Sequence, residues 1–427
     1  MPSDAYAFVA TNDLVGVTRG RSLPLSDLDP DVGVGWVPAD LAIDAFGTLA
    51  TPNPFGSLGD LRLIPDVDTA TPMPIADGEL PVTLMIGDQV NIDGSAWSCC
   101  PRSTLKHSLA RLEQGHGLRL FAAFEHEFLL FDADGSKTGG HAFGLDRFLM
   151  EGAFGTVFMR GLSEAGITVD TWLPEYGPGQ FEVAIKPRFG VRAADDAVLV
   201  REIARSAARS VRRRASFVPL PHPDAVGNGV HVHLSLWRGE SPVLYDASRP
   251  HGLSTLGESA FAGVLRHAHA IQAWTAPSQI SHLRLTPHRW SAAGAFIGQQ
   301  TREALVRICP ITSGMDPART YNVEYRAVDA TANPYLALAA IVQAMCEGLD
   351  ESLTLDTILE AEPEDGSVPP LPANSGAALD AWEADPIAVR WFASELAMTQ
   401  RAVRQSEEQA LAGMDPAERC AHYTAVY

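Results

Sequence analysis

The chain has 427 residues, 46% hydrophobic and 20% charged, and its 32 basic and 52 acidic side chains give a net charge of −20. Such a chain is long enough for two or three domains of roughly 150 residues, and its composition excludes a mainly disordered state. Its acidity disfavours nucleic-acid binding, and no apolar run approaches the ~18 residues of a membrane span. The stretch Met1–Gly16 lacks the basic and apolar segments of a secretory signal, so a cytoplasmic protein is expected.

Residues 1–100 read as strands and turns. Apolar pieces such as Leu84–Ile86 sit between stretches rich in proline, glycine and aspartate, for instance Thr51–Gly56. Arg102–Gln114 reads as an amphipathic helix with Leu105, Leu109 and Leu112 on one face. An apolar strand follows over Leu118–Asp132. Further helices are expected over Leu145–Glu164, Ala193–Arg213, Ser254–Trp274, Asn333–Leu349 and Ala378–Ala412. Short strands are expected over Gln180–Ile185, Gly229–Leu236 and Val323–Val328, and a surface loop over Glu360–Asn374. This order predicts an α+β chain, with a small β-rich domain over 1–100 and a larger mixed domain over 101–427. The five cysteines have no CxxC spacing, which predicts reduced buried thiols and argues against a cysteine-based zinc site.

The chemistry lies in polar residues placed inside apolar strands. Glu125 and Glu127 stand two apart in Phe124–Phe131, so both project from one strand face and repel each other. Glu175 and Glu182 bracket a Gly-Pro-Gly turn. His231 and His233 share a face after Gly227-Asn-Gly229, and Glu324 shares one with Arg326. Taken singly, these patterns also fit a solvated strand, a surface hairpin, core histidines or a structural salt bridge. Taken together, five glutamates and His231 offer hard oxygen donors and one imidazole, suited to two or more Mg²⁺ or Mn²⁺ ions. Arg284, Arg302, Arg307, Arg319 and Arg326 add guanidinium forks that match carboxylates and phosphoryl oxygens. The combination predicts phosphoryl transfer to a carboxylate, where positioning and charge neutralisation do most of the catalysis.

These segments resemble the glutamine synthetase superfamily, in Phe124–Phe131, Gly179–Glu182, Gly227–Ser235 and Glu324–Tyr335. The resemblance runs over nearly the whole chain, and the order and spacing of the segments are specific. It implies an N-terminal β-grasp domain, a catalytic domain of antiparallel strands and helices, and a double-ringed homo-oligomer, a dodecamer, with active sites shared between neighbours. It implies ATP and two or three Mg²⁺ (or Mn²⁺) ions. Glu127, Glu175 and Glu182 match ligands of the ion nearer glutamate; Glu125, His231 and Glu324 match those of the ion beside the terminal phosphate. Gly227, Arg284, Arg302 and Arg326 match positions that hold glutamate and the transferred phosphoryl group, with Arg307 near the nucleotide phosphates. His233, Ser235 and Arg319 match nucleotide-side positions. The implied reaction phosphorylates the γ-carboxylate of glutamate and then displaces phosphate with an amine nitrogen.

The departures from the family pattern bear on the acceptor. The family's loop carries a glutamate six residues after the arginine matched by Arg284; here that place falls on Trp290 or Ser291, with no acid adjacent in sequence. Val226 replaces an asparagine before the Gly-Asn-Gly turn. The ammonium-side aspartate of a neighbouring N-terminal domain corresponds to Asp44, in Ala42–Gly47, without the family's Asp-Gly-Ser-Ser. Loss of the loop carboxylate and arrival of a tryptophan predict an organic amine as acceptor in place of ammonia. Ordinary glutamine synthesis, a non-catalytic relative, and transfer to a different carboxylic acid are the alternatives.

Overall fold

The computed structural model describes residues 5–364 and 366–427. The N-terminal sheet is built from β1 (Tyr6–Asn12), β2 (Thr18–Pro24), β3 (Val34–Trp36), β4 (Leu61–Pro65), β5 (Thr71–Pro72) and β6 (Val82–Asn91). Its order is β2-β1-β6-β4-β3, with β5 on β6. β1 and β6 run parallel, Tyr6 opposite Val82 and Ala10 opposite Ile86, while the other pairs are antiparallel. Residues of β4 alternate between buried and half-buried, as expected of a sheet covered on one face.

The larger sheet contains β7 (Arg119–Phe131), β8 (Val169–Pro174), β9 (Gln180–Ile185), β10 (Arg188–Phe189), β11 (Arg214–Ser216), β12 (Val230–Arg238), β13 (Ser241–Pro242), β14 (Gly294–Gln299), β15 (Ala304–Ile308) and β16 (Val323–Val328). The main path is β14-β15-β16-β12-β7-β9-β8. All its neighbours are antiparallel except β14 and β15. On one face of β7, Phe124, His126 and Phe128 are buried among Phe217, Phe154, Phe158 and Phe181, so the opposite face is free to carry Glu125 and Glu127.

The α+β architecture agrees with the sequence reading, with three differences in the helices. Leu145–Glu164 is two helices, Leu145–Met150 and Gly152–Glu164, broken at Glu151. Ser254–Trp274 breaks at His267, and Ala378–Ala412 breaks after Ala384. Pro386 forbids a helical conformation at the residue before it, and Asp385 instead accepts hydrogen bonds from Ile387 N and Ala388 N at 3.0 Å. Asn333 caps the Pro334–Asp350 helix as expected, accepting from Tyr335 N and Leu336 N, with Pro334 in the first turn. Its amide group donates to Asn12 O and Asp13 O at 2.8 and 3.0 Å, fastening that helix to the end of β1. Buried Arg102 makes a second tie, reaching Asp66, Asp88 and Asp195. All five cysteines are buried free thiols. Among the described residues, no helix is long and apolar enough to cross a membrane.

Candidate active site

Register brings the predicted ligands onto one sheet face. His231 lies opposite Glu125, Glu182 opposite Glu127, and Glu324 is flanked by His233 and Arg307. Directly opposed antiparallel residues have Cβ atoms about 5 Å apart, so these side chains meet. His231 Nδ1 is 3.1 Å from Glu125 Oε1, and His233 Nε2 is 3.3 Å from both Glu125 Oε2 and Glu324 Oε2. Glu125, Glu182 and His231 each present a donor atom within 4.8 Å of the other two. This trio straddles the two ligand sets implied by the family resemblance.

The carboxylates lack enough cations of their own. Burial and the charges of Glu125, Glu127 and Glu175 push Glu182 far above the ordinary carboxylate range. Burial, despite the Gly229 N–H, raises Glu127 to about 7. Burial raises Glu175 as well. Burial also opposes ionisation of Glu125 and Glu324, but hydrogen bonds from His231 and His233 hold Glu125 well below its usual value, and Arg326 leads the groups that hold Glu324 at about 2. Crowded acids kept protonated beside others kept ionised make a set of hard donors that divalent cations would neutralise, so the residues fit Mg²⁺ or Mn²⁺.

The loops around this face are braced from below. Arg147, almost fully buried, donates to Glu175 O at 2.8 Å, to Gly177 O, and to Gln180 O at 2.6 Å, fixing the turn that carries Glu175. Gln180 Nε2 donates to Gly227 O and Asn228 Oδ1 at 2.8 and 2.9 Å. Gly229 N donates to Glu127 Oε2 at 2.6 Å. A Cβ at Gly227 would fall 2.7 Å from Arg284 Cγ, and one at Gly229 would fall 3.0 Å from Arg284 Nη1, so only glycine lets the turn pack on this arginine.

The predicted arginines occupy different settings. Arg284 is buried and donates to Val328 O at 2.8 Å, and its Nε has no protein partner. Arg326 donates to Glu324 Oε1 at 2.6 Å, Arg302 O at 3.0 Å and Trp290 O at 3.1 Å. Arg307 donates to Glu324 Oε1 at 2.9 Å. Arg302 is exposed, and Glu175 feels its charge. Arg319 is exposed and stacks 5.6 Å from the Trp237 ring, beside Phe121 and Phe189. Ser235 Oγ is buried without a protein partner on the same strand, an orphan donor suited to a polar ligand atom.

One expectation needs revision, at the Trp290 loop. Asp44, expected to serve a neighbouring subunit's site, is fully buried in its own turn. Its Oδ1 accepts from Phe46 N and Thr48 N at 2.9 and 2.8 Å, and its Oδ2 from Ser406 Oγ at 2.7 Å. This geometry makes Asp44 the organiser of its own turn. The Trp290 loop, acid-free in sequence, has a carboxylate beneath it in space. Buried Glu303 accepts from His288 N at 3.0 Å and Trp290 N at 2.6 Å. Trp290 is 74% exposed with φ of 53°, a left-handed conformation uncommon for a bulky residue. Arg289 donates to Pro223 O at 2.7 Å, linking this loop to the turn of Val226, and a Cβ on Gly177 would lie 3.4 Å from Val226 Cβ. Tyr176, Val226 and Trp290 are each exposed on these linked loops. Sequence reading missed Arg147 and Glu303, and gave Gln180, inside the Gly179–Glu182 segment, no role of its own.

Comparison with known proteins agrees with this geometry. The family model for the glutamine synthetase catalytic domain matches residues 98–419, and that for the glutamine synthetase N-terminal domain matches 4–97. Gamma-glutamylpolyamine synthetase GlnA3 of Streptomyces coelicolor is 34% identical over 82% of this chain and 76% of its own. Glutamine synthetase of Methanocaldococcus jannaschii is 29% identical over 77% of this chain and 75% of its own. A crystal structure described as a novel glutamine synthase homolog superposes with a TM-score of 0.91 at 40% identity, covering 99% of this chain and 98% of that one. A structure of apo GmaS superposes with a TM-score of 0.80 at 25% identity, covering 96% and 94%. Fold, carboxylate face and arginines define an ATP-dependent carboxylate–amine ligase acting on glutamate. The chain belongs to the glutamine synthetase family, whose members generally use ATP and divalent metals.

Proposed function

We propose that the protein joins the γ-carboxylate of glutamate to an organic amine, with polyamines first among the candidates. Exposed Trp290 carries this reading, because the resemblance sets it, or Ser291, at the place of the family's loop glutamate. The likeness to a γ-glutamylpolyamine synthetase supports it. In this reading Arg284, Arg302 and Arg326 hold glutamate and the transferred phosphoryl group, with Gly227 lending its backbone. His233, Ser235, Arg307 and Arg319 face the nucleotide. Glu127, Glu175 and Glu182, and separately Glu125, His231 and Glu324, would hold two or three Mg²⁺ or Mn²⁺ ions, which would neutralise phosphate charge when bound.

The γ-phosphoryl group of ATP passes to a γ-carboxylate oxygen, releasing ADP. The amine nitrogen then attacks the acyl carbon, phosphate leaves with its bonding pair, and the amine proton passes to solvent. With no acid adjacent in sequence to Trp290 to take its proton, the acceptor reaches the site as the neutral amine. Trp290 provides an aromatic face for the remaining cationic groups of a polyamine. The protein works in the cytoplasm as a double-ringed dodecamer with active sites completed by neighbours.

Phosphate release from Mg²⁺-ATP and glutamate, across ammonia, methylamine, ethanolamine, putrescine and aniline, tests the reading. Stimulation by an organic amine, with the amide confirmed by mass, is expected. Stimulation by ammonia alone would sink it, and none by any acceptor would favour another acid substrate or a non-catalytic role.

A further inference from the structure

A second group of donors lies beside the carboxylate face. After β15, which ends at Ile308, the chain runs Cys309-Pro310, and Cys309 N donates to Asn322 O at 3.1 Å, beside β16. Cys309 Sγ lies 3.8 Å from His233 Nδ1, and Glu324 Oε2 lies 3.3 Å from His233 Nε2. One donor atom from each of His233, Cys309 and Glu324 sits within 4.8 Å of the other two. The thiol and carboxylate are buried, while His233 keeps 27% of its side chain exposed and leaves a way in.

The donor set suits a tetrahedral ion, since zinc takes thiolate sulfur, imidazole nitrogen and carboxylate oxygen. His233 would offer Nε2, the nitrogen that faces Glu324 Oε2 at 3.3 Å. The chemistry also discriminates. A thiolate with an imidazole favours zinc, cobalt or cadmium over magnesium, which prefers oxygen alone. The surroundings supply orientation: Arg307 and Arg326 both hold Glu324 Oε1, leaving Oε2 toward His233. Asn322 donates its amide N–H to Thr320 O, which turns its Oδ1 to accept from His233 Nδ1 at 2.9 Å and leaves Nε2 as the free donor nitrogen beside Glu324. Cysteine spacing, which argues against zinc, is blind to such a site because its ligands come from β12, β16 and the end of β15.

We propose that His233, Cys309 and Glu324 form a site for a thiophilic divalent cation, zinc foremost, and that filling it blocks use of Mg²⁺-ATP by claiming Glu324 and His233. Binding displaces the thiol proton to solvent and involves no electron transfer.

The full-length protein, stripped of metal, is titrated with Co²⁺ as wild type, Cys309→Ser and Cys309→Ala, with thermal midpoints in chelator confirming that each variant folds. Wild type is expected to show a near-ultraviolet thiolate-to-cobalt charge-transfer band, saturable, reversed by Zn²⁺ and absent from both variants. Zn²⁺ is expected to inhibit either variant at least tenfold less strongly than wild type at the same Mg²⁺-ATP. No band in wild type, or an equal band in the variants, overturns the site. Equal zinc inhibition of all three overturns its effect on nucleotide use. The band requires no turnover, so it succeeds or fails independently of the amine-ligase reading.

Discussion

At Trp290 one side chain changes what the acceptor pocket can hold. The residue projects into solvent because Glu303 holds its N–H and Arg326 its carbonyl, leaving the indole as the variable part of the loop. Trp290→Glu should raise the kcat/KM for ammonia relative to putrescine by at least tenfold; an unchanged ratio would detach the loop from acceptor choice. The carboxylates make a second prediction. Glu127, raised to about 7, and Glu182, raised further, keep protons at pH 6 that a bound cation must expel. At pH 9 Glu127 is already ionised. Affinity for Mg²⁺ should therefore climb between these pH values, with fewer protons released per ion at the higher one. Calorimetry in buffers of different ionisation heat reads both, and an affinity independent of pH would contradict the assignment. Most of this face was legible in sequence because strand alternation fixes which side chains share a side. Glu303 was not, since it meets the Trp290 loop only through the fold.

Among the elements, helix breaks were the least legible feature. Leu145–Glu164 keeps a plausible helical pattern throughout, yet it breaks where Glu151 turns to bind Arg213 at 2.8 Å. Ser254–Trp274 breaks where His267 meets Asp385 at 2.6 Å. Each break depends on a partner far along the chain, which local periodicity cannot register. The parallel pairing of β1 with β6 escaped for the same reason. Asn333 was legible because capping is local, but its second duty was not. Asn333→Ala removes a cap and leaves Asn12 O and Asp13 O without their donor, and should cost about 2–4 kcal/mol in urea unfolding. Asn333→Asp keeps the cap oxygen but sets its second carboxylate oxygen against Asn12 O and Asp13 O, and should cost at least as much. A loss for the alanine variant below about 1 kcal/mol would show that the tie to β1 contributes nothing.

For the whole molecule, the N-terminal sheet is bound to the catalytic sheet by buried polar contacts as well as apolar packing. Arg102 is 2% exposed between Asp66 and Asp195, so the two parts unfold together in this account. A dodecamer of this 45.8 kDa chain would have a mass of about 550 kDa, which mass photometry would read directly. A monomer active at high dilution would refute shared sites. The central claim concerns the acceptor, and competition tests it most directly. Ammonia and putrescine, supplied together at equal concentration with glutamate and Mg²⁺-ATP, should yield γ-glutamylputrescine as the main product by mass spectrometry. Glutamine as the main product would contradict the account.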